Sequence, residues 1–439
     1  MCVICFLNER QQFLLRHSAS VRTDRFEHSL KIYKDEFINE FKNSKTTICD
    51  VHKDSQSNKY ISDALQKVKI EEIEEFFNKI KQIYIYWINT KIPNAIEELD
   101  NLLKNINYEK FTEELKETIL FRGRFSSSFI SHWDMFHIPF NRRFLITNQR
   151  YSLVGQPILY FATSPYGVYK ELGDYNNLRV ARFRIKDQES FKIFGNINKF
   201  PEYVEVKQAE TTEGIKSYDL DSMLNSEELS DEKYVQSMFY LMILSSCCSF
   251  SRRDDTADKE FAEEYVLPQI LTIALKQKGY EGIKYTSTKI NKDKYLNICN
   301  NKVKNMLYSN YCIFTNYTEE DSESKKNVYD RKLYEKFDIS TVLPYKNQID
   351  SDLFEIEKNK KILTKIDEMD YDNIYYKNIT YILAQDIDRI LELLQSLNDN
   401  NNEKNKIIYN FINMHILFIR DVLLEIESKG RYKDEKTDI

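Results

Sequence analysis

The sequence predicts an α+β protein in which a mixed α/β segment, at about 119–318, lies between two helical flanks. Three observations carry this reading. Eight of the nine Gly and five of the seven Pro fall between Arg122 and Tyr285, so turns are concentrated in the middle of the 439-residue chain. Short runs rich in aromatic and β-branched residues occur there as well: LRVARFRI, SFKIFGN, YVEVK and YCIFTNY. Outside that segment, apolar residues recur instead at helical spacing.

In chain order, the region from Asp24 to about Glu117 reads as several helices, because Ile61, Leu65, Val68, Ile73, Phe76, Ile80, Tyr84 and Trp87 follow a 3.6-residue period. Next come five Arg (Arg122, Arg124, Arg142, Arg143 and Arg150) with one acid, Asp134, and no Lys before Ser152. In a chain of net charge −6 this is the local basic patch an anion needs, and Arg suits bidentate recognition of phosphate or carboxylate. The bland alternative is pairing with acids on the flanks, expected for at least Arg142 or Arg143.

The stretch QRYSLVGQPILYFATSPYGVYKELG, 149–173, then predicts a strand and a short helix. Pro157 to Ala162 alternates with apolar residues on both faces, so the strand is interior. Ser164 fits an N-cap, Pro165 the first helical position, and Gly173 the left-handed position after the last turn. Glu171 ends this helix, where the macrodipole disfavours a carboxylate by about 0.3–1 kcal/mol. It is therefore either a solvated residue offset by Lys170 or a functional one.

Gln208 to Lys233 is polar and irregular, an insertion in the central segment. Glu263 to Lys278 is helical, and TEEDSESKKN after Tyr317 is a linker. Two apolar stripes, Ile379 to Leu397 and Ile408 to Ile426, flank the turn NDNNNEKN and predict a C-terminal helical hairpin. The resulting divisions are 1–118, 119–318 and 319–439.

Composition narrows the function classes. With 42% hydrophobic and 30% charged residues the chain is not disordered. Its acidic balance gives no global attraction to nucleic acid or an anionic bilayer. The window Met238 to Phe250 is too short and Ser-rich for a membrane span. The N-terminal apolar run lacks a signal-peptide pattern, and seven Cys without such a signal point to reduced thiols in a cytoplasm.

LFRGR at 120–124, MFHIPFNRRF at 135–144, the 149–173 stretch, EYVLPQILTIALKQKGYEGIKYTS at 264–287 and NYCIFTN at 310–316 together resemble the RES domain. The resemblance covers about 119–318 and leaves the flanks unaddressed. It implies an ADP-ribosyltransferase-like fold and the activity of toxins of toxin–antitoxin pairs that degrade NAD, some by phosphorolysis. Position by position, Arg122 matches the first family Arg, Arg150 the Arg of the turn before the strand, Tyr160 the strand Tyr, Glu171 the family Glu and Ser287 the Ser after GI-x-Y. Gln149 replaces the family Gly before that second Arg, and the 208–233 insertion is a further departure.

The implied catalytic residues are Glu171, Arg122 and Ser287, with Arg150 and Tyr160 binding substrate. NAD would be the substrate rather than a bound cofactor, with inorganic phosphate as a candidate co-substrate and an inhibitory antitoxin as a candidate partner. No nucleic-acid or membrane partner is expected, and a homo-oligomer is left open. Nicotinamide leaves neutral, so one carboxylate can suffice where glycosidases commonly use two. Each residue retains a structural alternative: Tyr160 as core, Ser287 as a turn residue, and Gln269 as a buried polar support.

Other function classes stay open beside this one: ADP-ribosyl transfer to a macromolecule, or an interaction protein that works through its helical flanks. No metal is assigned to the catalytic site. Cys2 with Cys5 and Cys49 with His52 nevertheless have zinc-ligand spacing, and sequence does not fix whether the two halves meet.

Overall fold

The computed structural model describes residues 2–7, 9–21, 25–44, 48–50, 52, 56–116, 118–126, 130–163, 165–172, 177–195, 231–252, 261–288, 309–322, 328–339 and 343–344. The cap at Ser164, the left-handed position at Gly173, the YVEVK run, most of the 208–233 insertion and the C-terminal hairpin lie outside them. Within them the protein is α+β: N-terminal helices packed on a curled, mixed sheet.

The N-terminal helices are α1 (Val3–Leu7), α2 (Glu9–Val21), α3 (Phe26–Ser44), α4 (Gln56–Gln66), α5 (Ile70–Ile88) and α6 (Ile92–Asn105). Helix α5 shows why they form. Ile73, Phe76, Phe77, Ile80, Ile83 and Tyr84 make one buried stripe, and Glu71 and Glu72 sit at the positive end of its dipole. In α3 the buried face is aromatic: Phe37 meets Phe6, Phe77 and Phe239 with ring centroids 5.0, 5.8 and 5.7 Å apart. The N-terminus of α3 is capped from the central segment, since the Phe26 amide donates to Glu263 Oε2 at 2.7 Å.

The sheet runs β1 (Thr112–Lys116), β5 (Ser190–Phe194), β6 (Gly282–Thr286), β7 (Ser309–Phe314), β3 (Ile158–Ala162), β2 (Ile119–Phe125), β4 (Leu178–Ile185) and β8 (Phe337–Ile339). A two-residue strand, β9 (Leu343–Pro344), also pairs with β4. Only β5 with β6 is parallel. The sheet thus reaches beyond 119–318 at both ends. In particular Thr112–Lys116, expected as helix, is a strand: at the sheet edge its exposed positions can stay polar, and Leu115 alone is buried.

β3 is interior as its two apolar faces require, with β7 on one side and β2 on the other. Leu159 and Phe161 enter a core with Leu120, Phe183 and Ile313, whereas Ile158 joins the core shared with the N-terminal helices. The Met238–Phe250 window falls largely in α9 (Glu232–Cys248), which follows the short helices α7 (His132–Met135) and α8 (Pro165–Leu172) and is buried on most sides against α2 and α4. Among the described residues no helix is long and apolar enough to cross a membrane.

Candidate active site

The strand order brings the predicted residues to one place. Phe121 pairs with Ala162, and Ala162 with Asn310, so β2, β3 and β7 align next to Arg122 and Tyr160. Thr286 pairs with Ser309, which sets Ser287 just past the end of β6 beside Asn310. Helix α8 (Pro165–Leu172), which begins at the expected proline, then lies on β2. Gly123 permits that approach, because a Cβ there would collide with Val168 Cγ1 and come within 3.0 Å of Leu172 Cδ1.

Glu171, on the last turn of α8, therefore faces the end of the sheet. Ser287 Oγ donates to its Oε1 at 2.5 Å, and Asn310 Nδ2 donates to the same oxygen at 2.7 Å. Two donors on one oxygen fix the carboxylate's orientation. The other polar atom of Asn310, Oδ1, is buried and has no hydrogen-bond partner among the described residues. Asn310 escaped the sequence reading, although it opens the NYCIFTN motif; its signal there was position in a motif, with nothing to mark it as polar machinery.

Glu171, Asn310, Arg122, Tyr160 and Arg150 line one cavity of about 330 Å³, closed further by Phe121, Tyr265 and Tyr285. Arg122 is half-buried and anchored from the back: Nε donates to Met135 O at 2.9 Å and Nη1 to Tyr160 O at 3.0 Å. Burial, with the nearby Arg124 charge, pushes its guanidinium down to about 9, which leaves it cationic at neutral pH. Tyr160 both lines the cavity and packs on the core, and its hydroxyl accepts the Tyr151 amide at 3.1 Å. Burial raises that phenol, so it stays protonated.

Arg150 is committed to the protein. Its Nη1 donates to Cys248 O at 2.7 Å and its Nη2 to Phe250 O at 2.9 Å, while the guanidinium stacks 5.0 Å over Tyr265. It braces the cavity wall against the end of α9. Gln269 is a buried support: its Nε2 donates to Asn148 Oδ1 and to the carbonyls of Gln149 and Ser152, which fixes the turn before β3. In that turn Gly155 takes φ +79°, a conformation suited to glycine.

The expected pairing of Arg142 or Arg143 with flank acids does not occur among the described residues. Arg143 instead donates to Phe140 O and lies 4.9 Å over the Tyr317 ring, because the 3-10 turn Phe140–Leu145 holds it away from the helices. A wider groove lined by Phe191, Glu281, Asp330 and Lys336 holds none of the predicted site residues. Its Lys336 is already paired with Glu281 at 3.0 Å.

The site thus sets a half-buried carboxylate, held by one hydroxyl and one amide donor, beside a half-buried Arg in a single cavity. The chain is 28% identical over 290 residues to a Bacillus subtilis (strain 168) protein named "Putative toxin YopC", a distant homologue; the match covers 62% of this chain and 58% of that protein, less than two thirds of its length. No family model matches the chain, and no solved structure matches it.

Proposed function

We propose that the chain is a toxin enzyme of the RES type that cleaves the nicotinamide N-glycosidic bond of NAD, by phosphorolysis or hydrolysis. The observation that carries this reading is the convergence of Ser287 and Asn310 on one oxygen of Glu171 in the cavity that Arg122 and Tyr160 also line. A cavity of about 330 Å³ is at the small end of ligand pockets and suits the nicotinamide–ribose half of a dinucleotide, with the rest extending out of it.

In the proposed reaction the bond between ribose C1 and the pyridinium nitrogen breaks, its electron pair stays on nitrogen, and nicotinamide leaves uncharged. An oxygen of phosphate or water forms the new bond to C1, and where water attacks, the proton it sheds passes to solvent. Glu171, held by Ser287 and Asn310, faces the oxocarbenium-like transition state and stabilises its developing positive charge. The Nη2 of Arg122, without a hydrogen-bond partner among the described residues, binds the pyrophosphate or the incoming phosphate. The Tyr160 ring packs on nicotinamide. Arg150 acts chiefly by positioning the wall it braces.

The name of the distant relative supports the toxin part of the reading; an inhibitory partner protein is proposed from the resemblance to toxins of toxin–antitoxin pairs. The test is incubation of purified protein with NAD, with and without phosphate, resolving nicotinamide, ADP-ribose and phosphorylated ADP-ribose. Nicotinamide release with a low-molecular-weight ADP-ribose product is expected. No release under either condition would remove the proposal, and label appearing on protein or nucleic acid instead would replace it with macromolecular ADP-ribosylation.

A further inference from the structure

The N-terminal helices hold a second polar cluster, remote in chemistry from the cavity. Cys2, just before α1, and Cys5, in its middle, meet Cys49 and His52 from the turn after α3. The sulfur–sulfur distances are 3.6 Å for Cys2 to Cys5, 3.6 Å for Cys2 to Cys49 and 3.8 Å for Cys5 to Cys49. His52 Nδ1 lies 3.3, 3.6 and 3.1 Å from the same three sulfurs.

A tetrahedron of ligands around Zn²⁺, with Zn–S near 2.3 Å and Zn–N near 2.0–2.1 Å, has edges of about 3.8 Å between sulfurs and about 3.6 Å from sulfur to nitrogen. The six observed distances form such a figure, slightly contracted on the imidazole side. Ordinary core packing does not explain them: thiols are weak hydrogen-bond partners, and a disulfide would draw two sulfurs to about 2.0 Å and leave the third. All three cysteines are free thiols. The Cys5 amide also donates to Cys2 Sγ at 3.5 Å, a bond that stabilises a thiolate in a Cys-x-x-Cys turn.

We propose that Cys2, Cys5, Cys49 and His52 bind one Zn²⁺ in a closed structural site. Four protein ligands leave no position for water or substrate, so the ion holds the fold rather than doing chemistry. It fastens α1, which is short and would fray alone, to the turn 44–50 residues further along. The soft sulfur ligands select Zn²⁺ over Mg²⁺ or Ca²⁺.

Full-length protein purified under reducing conditions from zinc-supplemented cells is expected to carry about one zinc per chain by elemental analysis. Cys49→Ser and His52→Ala should each lose that zinc and melt at lower temperature. Should both variants fail to fold, wild-type protein still decides the matter: exchange into Co²⁺ should give the intense visible bands of a tetrahedral thiolate site, saturating at one equivalent. Substoichiometric zinc together with no saturable Co²⁺ spectrum overturns the proposal. So does a disulfide among the three cysteines, detected as the loss of two hydrogens in the reduced-buffer mass spectrum.

Discussion

The two polar clusters of this molecule are built in opposite ways. Around Glu171 the side chains form a partial set: two donors crowd one carboxylate oxygen, Asn310 keeps a buried oxygen without a partner among the described residues, and an open cavity lies alongside. Around Cys2 the ligand atoms of four residues lie within 4.8 Å of one another and close on a single point. The first arrangement leaves polar capacity facing a cavity. The second turns its ligand atoms on one another, with Cys2 and His52 buried and Cys5 and Cys49 half-buried. Unsatisfied polarity marks where a protein expects a substrate.

That contrast can be broken at several points. The largest effect should come from Glu171→Gln, which preserves shape but removes the charge: NAD cleavage should fall by roughly two to four decades with little change in melting temperature. Unaltered turnover would detach Glu171 from the chemistry. On the other side, Phe37→Ala should lower stability by about 3–5 kcal/mol in urea titration while the activity of each folded molecule persists. Equal losses of stability and specific activity would mean that the helical core and the cavity are not separable.

Intermediate in size is a pH effect. His137 is fully buried, its Nδ1 donating to Ile138 O at 2.7 Å and its Nε2 accepting the Asp330 amide at 2.9 Å. Burial, with the Arg122 and Arg124 charges, lowers it to about 4. Since the unfolded value is near 6.5, the unfolded state binds the extra proton first. The contribution, about 3 kcal/mol at most, is complete above pH 6.5 and is lost as pH falls toward 4. Unfolding of wild type and His137→Gln at pH 7 and pH 4.5 should show a smaller acid penalty in the variant.

The smallest change sharpens the comparison most. Gly123→Ala inserts one methyl between β2 and α8, an overpacking cost of about 1–3 kcal/mol. Because α8 carries Glu171, kcat should drop further than that stability loss explains, whereas KM for NAD should move less. A variant with intact kcat would show that α8 can shift without moving its carboxylate.

Local features of the fold were legible in the sequence. The alternation that makes β3, the proline that starts α8 and the helix ending near Lys278 are all decided by neighbours within a few residues. Glu171 stood out because a carboxylate at a helix C-terminus opposes the dipole. What could not be read is long-range. The charged run Thr112–Lys116 becomes a strand only because β5 pairs with it. Arg150 looks like a phosphate ligand until the carbonyls of Cys248 and Phe250, about a hundred positions away, take its donors. Spacing put Cys2 with Cys5 and Cys49 with His52, but the folding of α1 against α3 is what joins the two pairs.

The Glu171 cluster spans 116 residues to Ser287 and 139 to Asn310. During synthesis, a ribosome must therefore make about a third of the chain after residue 171 is polymerised before the carboxylate can meet its donors. A growing chain halted before residue 310, or a fragment cut from the gene there, carries Glu171 and Ser287 but lacks Asn310 and most of β7, the strand that pairs with both β3 and β6. The assembled site exists only after β7 has been made, so the synthesis of the carboxylate and the completion of its surroundings are separated in time.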